Sequence, residues 1–169
     1  MLTSAISIRS YLNKMKTCVL ILENLRSIEN TGSIFRTAEG LGVSKIICVG
    51  TTPTPVDRFG RKRADFAKVS LGAENLVDWH YVGDISVALE SLDHDIQIIA
   101  LEQTNESEKD IKKLQARNRF ALIVGNEVDG LSQRALKAAE VAVEIPMRGK
   151  KESLNVSVAT GVALFTLIS

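Results

Sequence analysis

The sequence predicts an α/β domain with a mainly parallel sheet flanked by helices. Three observations carry that expectation. Short runs rich in Val, Ile and Leu recur without strict polar alternation, as strands buried on both faces require. Segments of helical periodicity separate them, the order that produces parallel strands joined by crossover helices. A length of 169 residues fits one core, and no repeat, low-complexity tract or linker divides it. Residues 1–169 are therefore read as a single domain.

The expected strands, in order, are CVLIL (Cys18 to Leu22), KIICV (Lys45 to Val49), DIQIIAL (Asp95 to Leu101), FALIV (Phe120 to Val124) and VAVEI (Val141 to Ile145). The expected helices are Ile28 to Leu41, Ile85 to Leu92, Ser132 to Ala139 and Val156 to Ile168. In the first helix Thr31, Ile34, Phe35, Ala38 and Leu41 share one side. Arg36 points nearly opposite, with Gly32 one turn before it on the same outward face. An arginine beside a missing side chain is either an ordinary solvated surface or part of a site. The last helix is apolar almost all round and is read as a buried core helix.

Composition removes several classes. Lys+Arg is 21 against 20 for Asp+Glu, a net charge of +1, so any nucleic-acid surface must come from local segregation of charge. Two cysteines, Cys18 and Cys48, and two isolated histidines, His80 and His94, supply neither a disulfide framework nor a Cys/His zinc cluster. No metal is expected, and the chain reads as reduced and cytoplasmic. The opening MLTSAISIRSYLNKMK carries Arg9, Lys14 and Lys16 but no apolar run of signal length. The apolar stretch from Val156 to Ser169 is shorter than the ~20 residues that span a bilayer, so no membrane is expected.

Common motifs also fail. The only G-x-G, at Gly40 to Gly42, follows a helix and lacks the third glycine of a dinucleotide fingerprint. G-N-E-V-D-G-L lacks the Lys and Ser/Thr of a phosphate loop, and G-x-S-x-G, H-E-x-x-H and C-x-x-C do not occur. The N-x-S matches at Asn105 and Asn155 are chance in a chain read as cytoplasmic.

Three segments remain: ENTGSIFRTAEGLG (Glu29 to Gly42), IVGNEVDGLS (Ile123 to Ser132) and IPMRGKKESLNVSVATG (Ile145 to Gly161). The second places Gly125 at a strand's C-terminal end, where ligands bind in open α/β sheets. The third sets Ser153 and Asn155 before a helix, where either could act simply as a cap.

Together these segments resemble the SpoU/TrmH family of SPOUT-class RNA ribose 2′-O-methyltransferases. The family pattern N-x-G-x-x-x-R-x-A, G-x-E-x-x-G-L and I-P-M-x-G…S-L-N-V-S-x-A is filled by Asn30, Gly32, Arg36 and Ala38, then Gly125, Glu127, Gly130 and Leu131, then Ile145 to Met147, Gly149 and Ser153 to Ser157. The resemblance runs from about Cys18 to the end. It implies a parallel sheet whose C-terminal part is threaded as a deep trefoil knot, S-adenosylmethionine as cofactor, and a homodimer with its active site at the subunit interface. The implied cofactor residues are Leu101, Glu102, Gly125, Asn126, Ile145, Met147, Ser153, Leu154 and Asn155. The implied catalytic residues are Arg36, which engages the 2′-hydroxyl or adjacent phosphate, and Asn30, Glu127, Ser153 and Asn155, which orient the parts.

The charge map supplies an RNA surface. RFGRKRADFAK holds Arg58, Arg61, Lys62, Arg63 and Lys68 against one acid, Asp65, and its two Phe residues are the only aromatic interleaving. Arg148, Lys150 and Lys151 form a second group. Each is alternatively a solvated face. The substrate implied is tRNA or rRNA. IALEQTNES and KVSLGAE look most like members that methylate a guanosine ribose in the tRNA D-loop. An RNA-binding member of the same fold without methyl transfer is the competing reading.

Overall fold

The computed structural model describes residues 16–103 and 109–169. In chain order these form β1 (Thr17–Glu23), α1 (Ile28–Gly40), β2 (Lys45–Val49), α2 (Ala64–Ser70), β3 (Trp79–Val82), α3 (Ile85–Glu90), β4 (Gln97–Leu101), β5 (Lys109–Asp110), β6 (Arg119–Val124), α4 (Gln133–Ala138), β7 (Val141–Glu144) and α5 (Val156–Ile168). Seven strands make one sheet in the order β3-β2-β1-β6-β4-β7-β5. Every strand pairing in it is parallel. Arg9, Lys14, the Asn105 match and the Thr104 to Ser107 part of IALEQTNES lie outside the described residues.

Both faces of the sheet are covered, which is why its strands lack polar alternation. Along β6, Phe120, Leu122 and Val124 join the cluster beneath α1, α2 and α5, while Ala121 and Ile123 join the one beneath α3 and α4. Cys18 and Cys48 sit inside the first cluster, where burial pushes each thiol up to about 12. No helix among the described residues is long and apolar enough to cross a membrane.

The five anticipated strands and four helices form with ends shifted by a few residues, whereas β3, β5 and α2 had no apolar run to announce them. β3 is an edge strand with Trp79 and His80 half-buried and Tyr81 exposed. Two packing expectations are corrected. Gly32 is buried: a Cβ there would lie 2.9 Å from the Cβ of Val69, so α2 closes the gap expected beside Arg36. The last helix is not buried all round. It rests on α1 and the sheet through Val156, Thr160, Ala163, Leu164 and Leu167, and Val158, Val162 and Phe165 face outward. A helix lying on one face of a sheet buries only the stripe that touches it.

Candidate active site

The C-terminal ends of β4, β6 and β7 and the entry of α5 enclose a cavity of about 440 Å³. All nine cofactor residues implied by the sequence line it: Leu101 and Glu102, Gly125 and Asn126, Ile145 and Met147, and Ser153 to Asn155. Gln103, Val128, Gly130, Glu144, Val156 and Ala159 line it as well. Gly130, Val156 and Ala159 fill positions of the motifs read from the sequence, whereas Gln103, Val128 and Glu144 were not singled out; the one available signal for them was their place at strand ends and turns. Apolar Leu101, Ile145, Leu154 and Val156 stand against polar Asn126, Glu127 and Ser153, a lining suited to a ligand with a flat apolar part and a polar tail.

The turn after β6 is built by its own asparagine. Asn126 Oδ1 accepts from the amides of Val128 and Asp129, both at 2.8 Å, and Gly130 N donates back to the Asn126 carbonyl at 3.2 Å. Gly130 has φ +65, the left-handed region that favours glycine. Gly125 is needed because a Cβ there would overlap the Gly130 carbonyl, so the close approach it permits is to its own turn. Two carboxylates then grip consecutive amides beyond the turn. Glu102 Oε2, from the end of β4, accepts from Leu131 N at 2.8 Å. Glu23 Oε2, from the end of β1 and 2% exposed, accepts from Ser132 N at 3.0 Å. Glu102 thus shapes the cavity by holding its wall, and Glu23 had no sequence signal at all.

The three motifs meet in one chain of hydrogen bonds. Asn155 caps α5, its Oδ1 accepting from Ser157 N at 3.0 Å and from Val158 N at 3.4 Å. Its Nδ2 donates to Asn30 Oδ1 at 3.0 Å, and Asn30 Nδ2 donates to Glu127 Oε1. Asn30 is itself fixed because Ser27, the cap of α1, accepts its amide at 3.0 Å. Asn155 is therefore both cap and linker. Ser153 lines the cavity without capping the helix.

Arg36 stands apart. It is exposed on α1, does not line the cavity of its own chain, and has no ion pair among the described residues. Its neighbour Thr37 touches α5, with the Thr37 Cγ2 3.4 Å from where a Cβ of Gly161 would lie. Arg148 and Lys150 are exposed between Met147 and Ser153, which both line the cavity. In the other basic segment Arg61 pairs with Asp57 and Arg63 with Asp65, each within 2.9 Å. Lys62 reaches Asn75 Oδ1 at 3.4 Å, and Arg58 has no carboxylate partner among the described residues.

The family model described as SpoU rRNA Methylase family matches residues 17–165. A 23S rRNA (guanosine-2′-O-)-methyltransferase of Haemophilus ducreyi is 32% identical over 92% of this chain and 61% of its own length. The chain thus spans less than two thirds of the length of that curated relative. The AdoMet-bound rRNA methyltransferase from Sinorhizobium meliloti superposes with a TM-score of 0.78 at 25% identity, over 90% of this chain and 56% of that one. A structure described by its 2-OH methylation of C/U34 on tRNA gives 0.75 at 25% identity, over 89% of this chain and 93% of that one.

Proposed function

The chain belongs to the SpoU rRNA Methylase family, and on that premise we propose that it is an S-adenosylmethionine-dependent methyltransferase acting on a ribose 2′-hydroxyl of tRNA or rRNA. The observation that carries the reading is the Asn155–Asn30–Glu127 relay, which ties all three motif segments to one rim of the cavity. The mixed lining fits the cofactor, with Leu101, Ile145, Leu154 and Val156 for its apolar part and Asn126, Glu127 and Ser153 for its polar part. When bound, S-adenosylmethionine supplies a methyl group already activated by a sulfonium sulfur. What remains for the protein is to place the hydroxyl in line and to favour the loss of its proton. A guanidinium offers charge and donors rather than a base. Arg36 accordingly stabilises the developing alkoxide, and Asn30, Glu127, Ser153 and Asn155 orient nucleotide and cofactor.

Arg36 does not line the cavity of its own chain, and a second copy of the chain would supply it. The outward stripe of α5 supports that arrangement: Val158, Val162 and Phe165 are 53%, 40% and 66% exposed at helical spacing. The stripe begins one turn from Asn155 and runs past the contact with Thr37, next to Arg36. A homodimer across this face buries it and sets each Arg36 toward the other subunit. The strand order, with β6 between β1 and β4 and β7 between β4 and β5, supports the trefoil threading of the C-terminal part. A tRNA or rRNA substrate supports a cytoplasmic location.

The finer reading, a guanosine of the tRNA D-loop, rests on resemblance alone. KVSLGAE serves packing, with Val69 set against Gly32 and Ser70 fully buried. Incubation with labelled S-adenosylmethionine and bulk tRNA or rRNA, followed by mapping, tests both levels. Ribose methylation of either RNA is the expected result. A product confined to 23S rRNA overturns the D-loop reading, and cofactor binding without transfer to any RNA replaces the enzyme with an RNA-binding relative.

A further inference from the structure

After β2 the chain leaves the C-terminal edge of the sheet, the edge that also holds the cavity, and forms a tight loop. Val56 and Lys62 pair as an antiparallel bridge. Asp57 organises the tip: its Oδ1 accepts from Phe59 N at 2.8 Å and Arg61 N at 3.0 Å, and its Oδ2 accepts from Arg61 Nε at 2.7 Å. Gly60, at φ +77, makes the reversal possible. The tip of the loop is thus held by its own side chain.

What this loop displays is unusual for a surface. Phe59 is 67% exposed. The guanidinium carbons of Arg58 and Arg61 lie 4.8 Å and 5.1 Å from its ring centroid. An exposed aromatic ring with two guanidinium groups close by has the elements that sequence-tolerant single-strand binding uses: a π-face for a base and cations for the phosphates beside it. Four cations, Arg58, Arg61, Lys62 and Arg63, stand against two carboxylates, Asp57 and Asp65, which pair with Arg61 and Arg63. That excess favours a polyanion over an apolar protein partner.

We propose that Phe59 is a stacking platform for an unpaired RNA base, with the neighbouring Arg58, unpaired among the described residues, as a phosphate contact. It rests on the RNA reading above and adds to it a recognition point outside the methyl-transfer cavity. An exposed ring can be replaced without disturbing the core, so Phe59→Ala melts as the wild type does. With a single-stranded RNA probe of about ten nucleotides, a length within the usual range of such sites, its affinity falls on the order of 5- to 100-fold. Phe59→Leu, apolar without a π-face, falls alongside it. Phe59→Trp retains affinity, and the emission of its added indole, measured as the difference from the half-buried Trp79 of the wild type, is quenched by the RNA. Arg58→Ala lowers the slope of affinity against salt, whereas Phe59→Ala leaves that slope unchanged.

Wild-type affinity in Phe59→Ala, full retention by Phe59→Leu, or emission from the Phe59→Trp variant that is indifferent to saturating RNA each overturns the platform. Cofactor binding and RNA binding of the wild type are measured in parallel. A wild type that binds cofactor but no RNA overturns the RNA reading together with the platform, whereas RNA affinity indifferent to residue 59 removes the platform alone.

Discussion

Polar groups at the cavity rim and three cations on the outward face are used in opposite ways. At the rim, Asn30, Glu102, Asn126, Glu127 and Asn155 are all bonded within the chain. Outside it, Arg36, Arg58 and Arg148 carry no ion pair among the described residues. A group spent on its own backbone fixes shape and pre-organises a pocket, whereas an unspent cation is available to something that arrives. Changes at the rim should therefore register first in stability and cofactor binding. Changes outside should register in turnover or RNA affinity, with the fold intact.

Arg36→Ala is the strongest test of that division. Its side chain lies away from the buried stripe of α1, so the melt should shift by no more than a surface substitution does, within about ±0.5 kcal/mol. Turnover should fall on the order of 100-fold or more, as when one oxyanion donor is lost. Arg36→Lys should recover only part, because an ammonium has no planar two-point contact. Cofactor affinity should stay near that of the wild type. A variant with normal melting, normal cofactor binding and full methyl transfer removes Arg36 from the mechanism. One that unfolds refutes the outward reading of the helix.

Val162→Asp sharpens the same contrast on the face that a second copy would cover. Burying an unpaired carboxylate is costly, so the dimer should dissociate at concentrations at least about tenfold higher, seen by sedimentation. Methyl transfer should fall with the dimer while each chain keeps its cavity. Transfer that persists in the isolated monomer would mean that Arg36 serves its own chain. Gly130→Ala probes the rim instead. A side chain at φ +65 costs roughly 1–2 kcal/mol, and its Cβ would press on the Glu102 carboxylate. Stability should drop by about that amount, and cofactor binding should weaken about tenfold, with RNA affinity unchanged. The Cys18 and Cys48 thiols, pushed up to about 12 by burial, offer a readout, since they should become reactive only as the sheet opens.

How much of this was legible depended on whether the signal was local. Seven of the nine cavity residues lie in two short motifs and the other two, Leu101 and Glu102, at a strand end, and strand ends in a parallel sheet converge by construction, so their meeting could be read ahead. Glu23 could not, because its partner Ser132 is brought to it only by the pairing of β1 with β6. Gly32 was misread for the same reason. Its helical face was right, but Val69 belongs to α2, which has no apolar periodicity long enough to announce it. The outward stripe of α5 was hidden by its composition: a helix apolar all round gives no hint of which side the chain itself will cover.

The smallest expected effect belongs to Asp57→Ala, and its sign decides whether the basic loop acts by shape or by charge alone. Hydrogen bonds from Arg61, first from its backbone amide and then from its side chain, hold the Asp57 carboxyl below the usual carboxylate range. A depressed carboxyl stabilises its surroundings above the ordinary value and loses that effect as the pH falls through the lowered one, so the loop should stay closed at neutral pH and open as the pH falls below the ordinary carboxylate range. Asp57→Ala opens it at neutral pH. It removes three hydrogen bonds at the tip and leaves Phe59 and Arg61 to be ordered on binding, at about 0.5–1.5 kcal/mol for each side chain immobilised. The same change adds net positive charge, which by itself strengthens attraction to phosphate. If the fixed position of the Phe59 ring matters, RNA affinity should fall roughly two- to tenfold despite the added charge, with no change in the melt or in cofactor binding. Tighter binding by Asp57→Ala would mean that the loop works as a flexible cluster of cations, and the contrast between a shaped rim and an unspent surface would then extend to the loop's backbone as well.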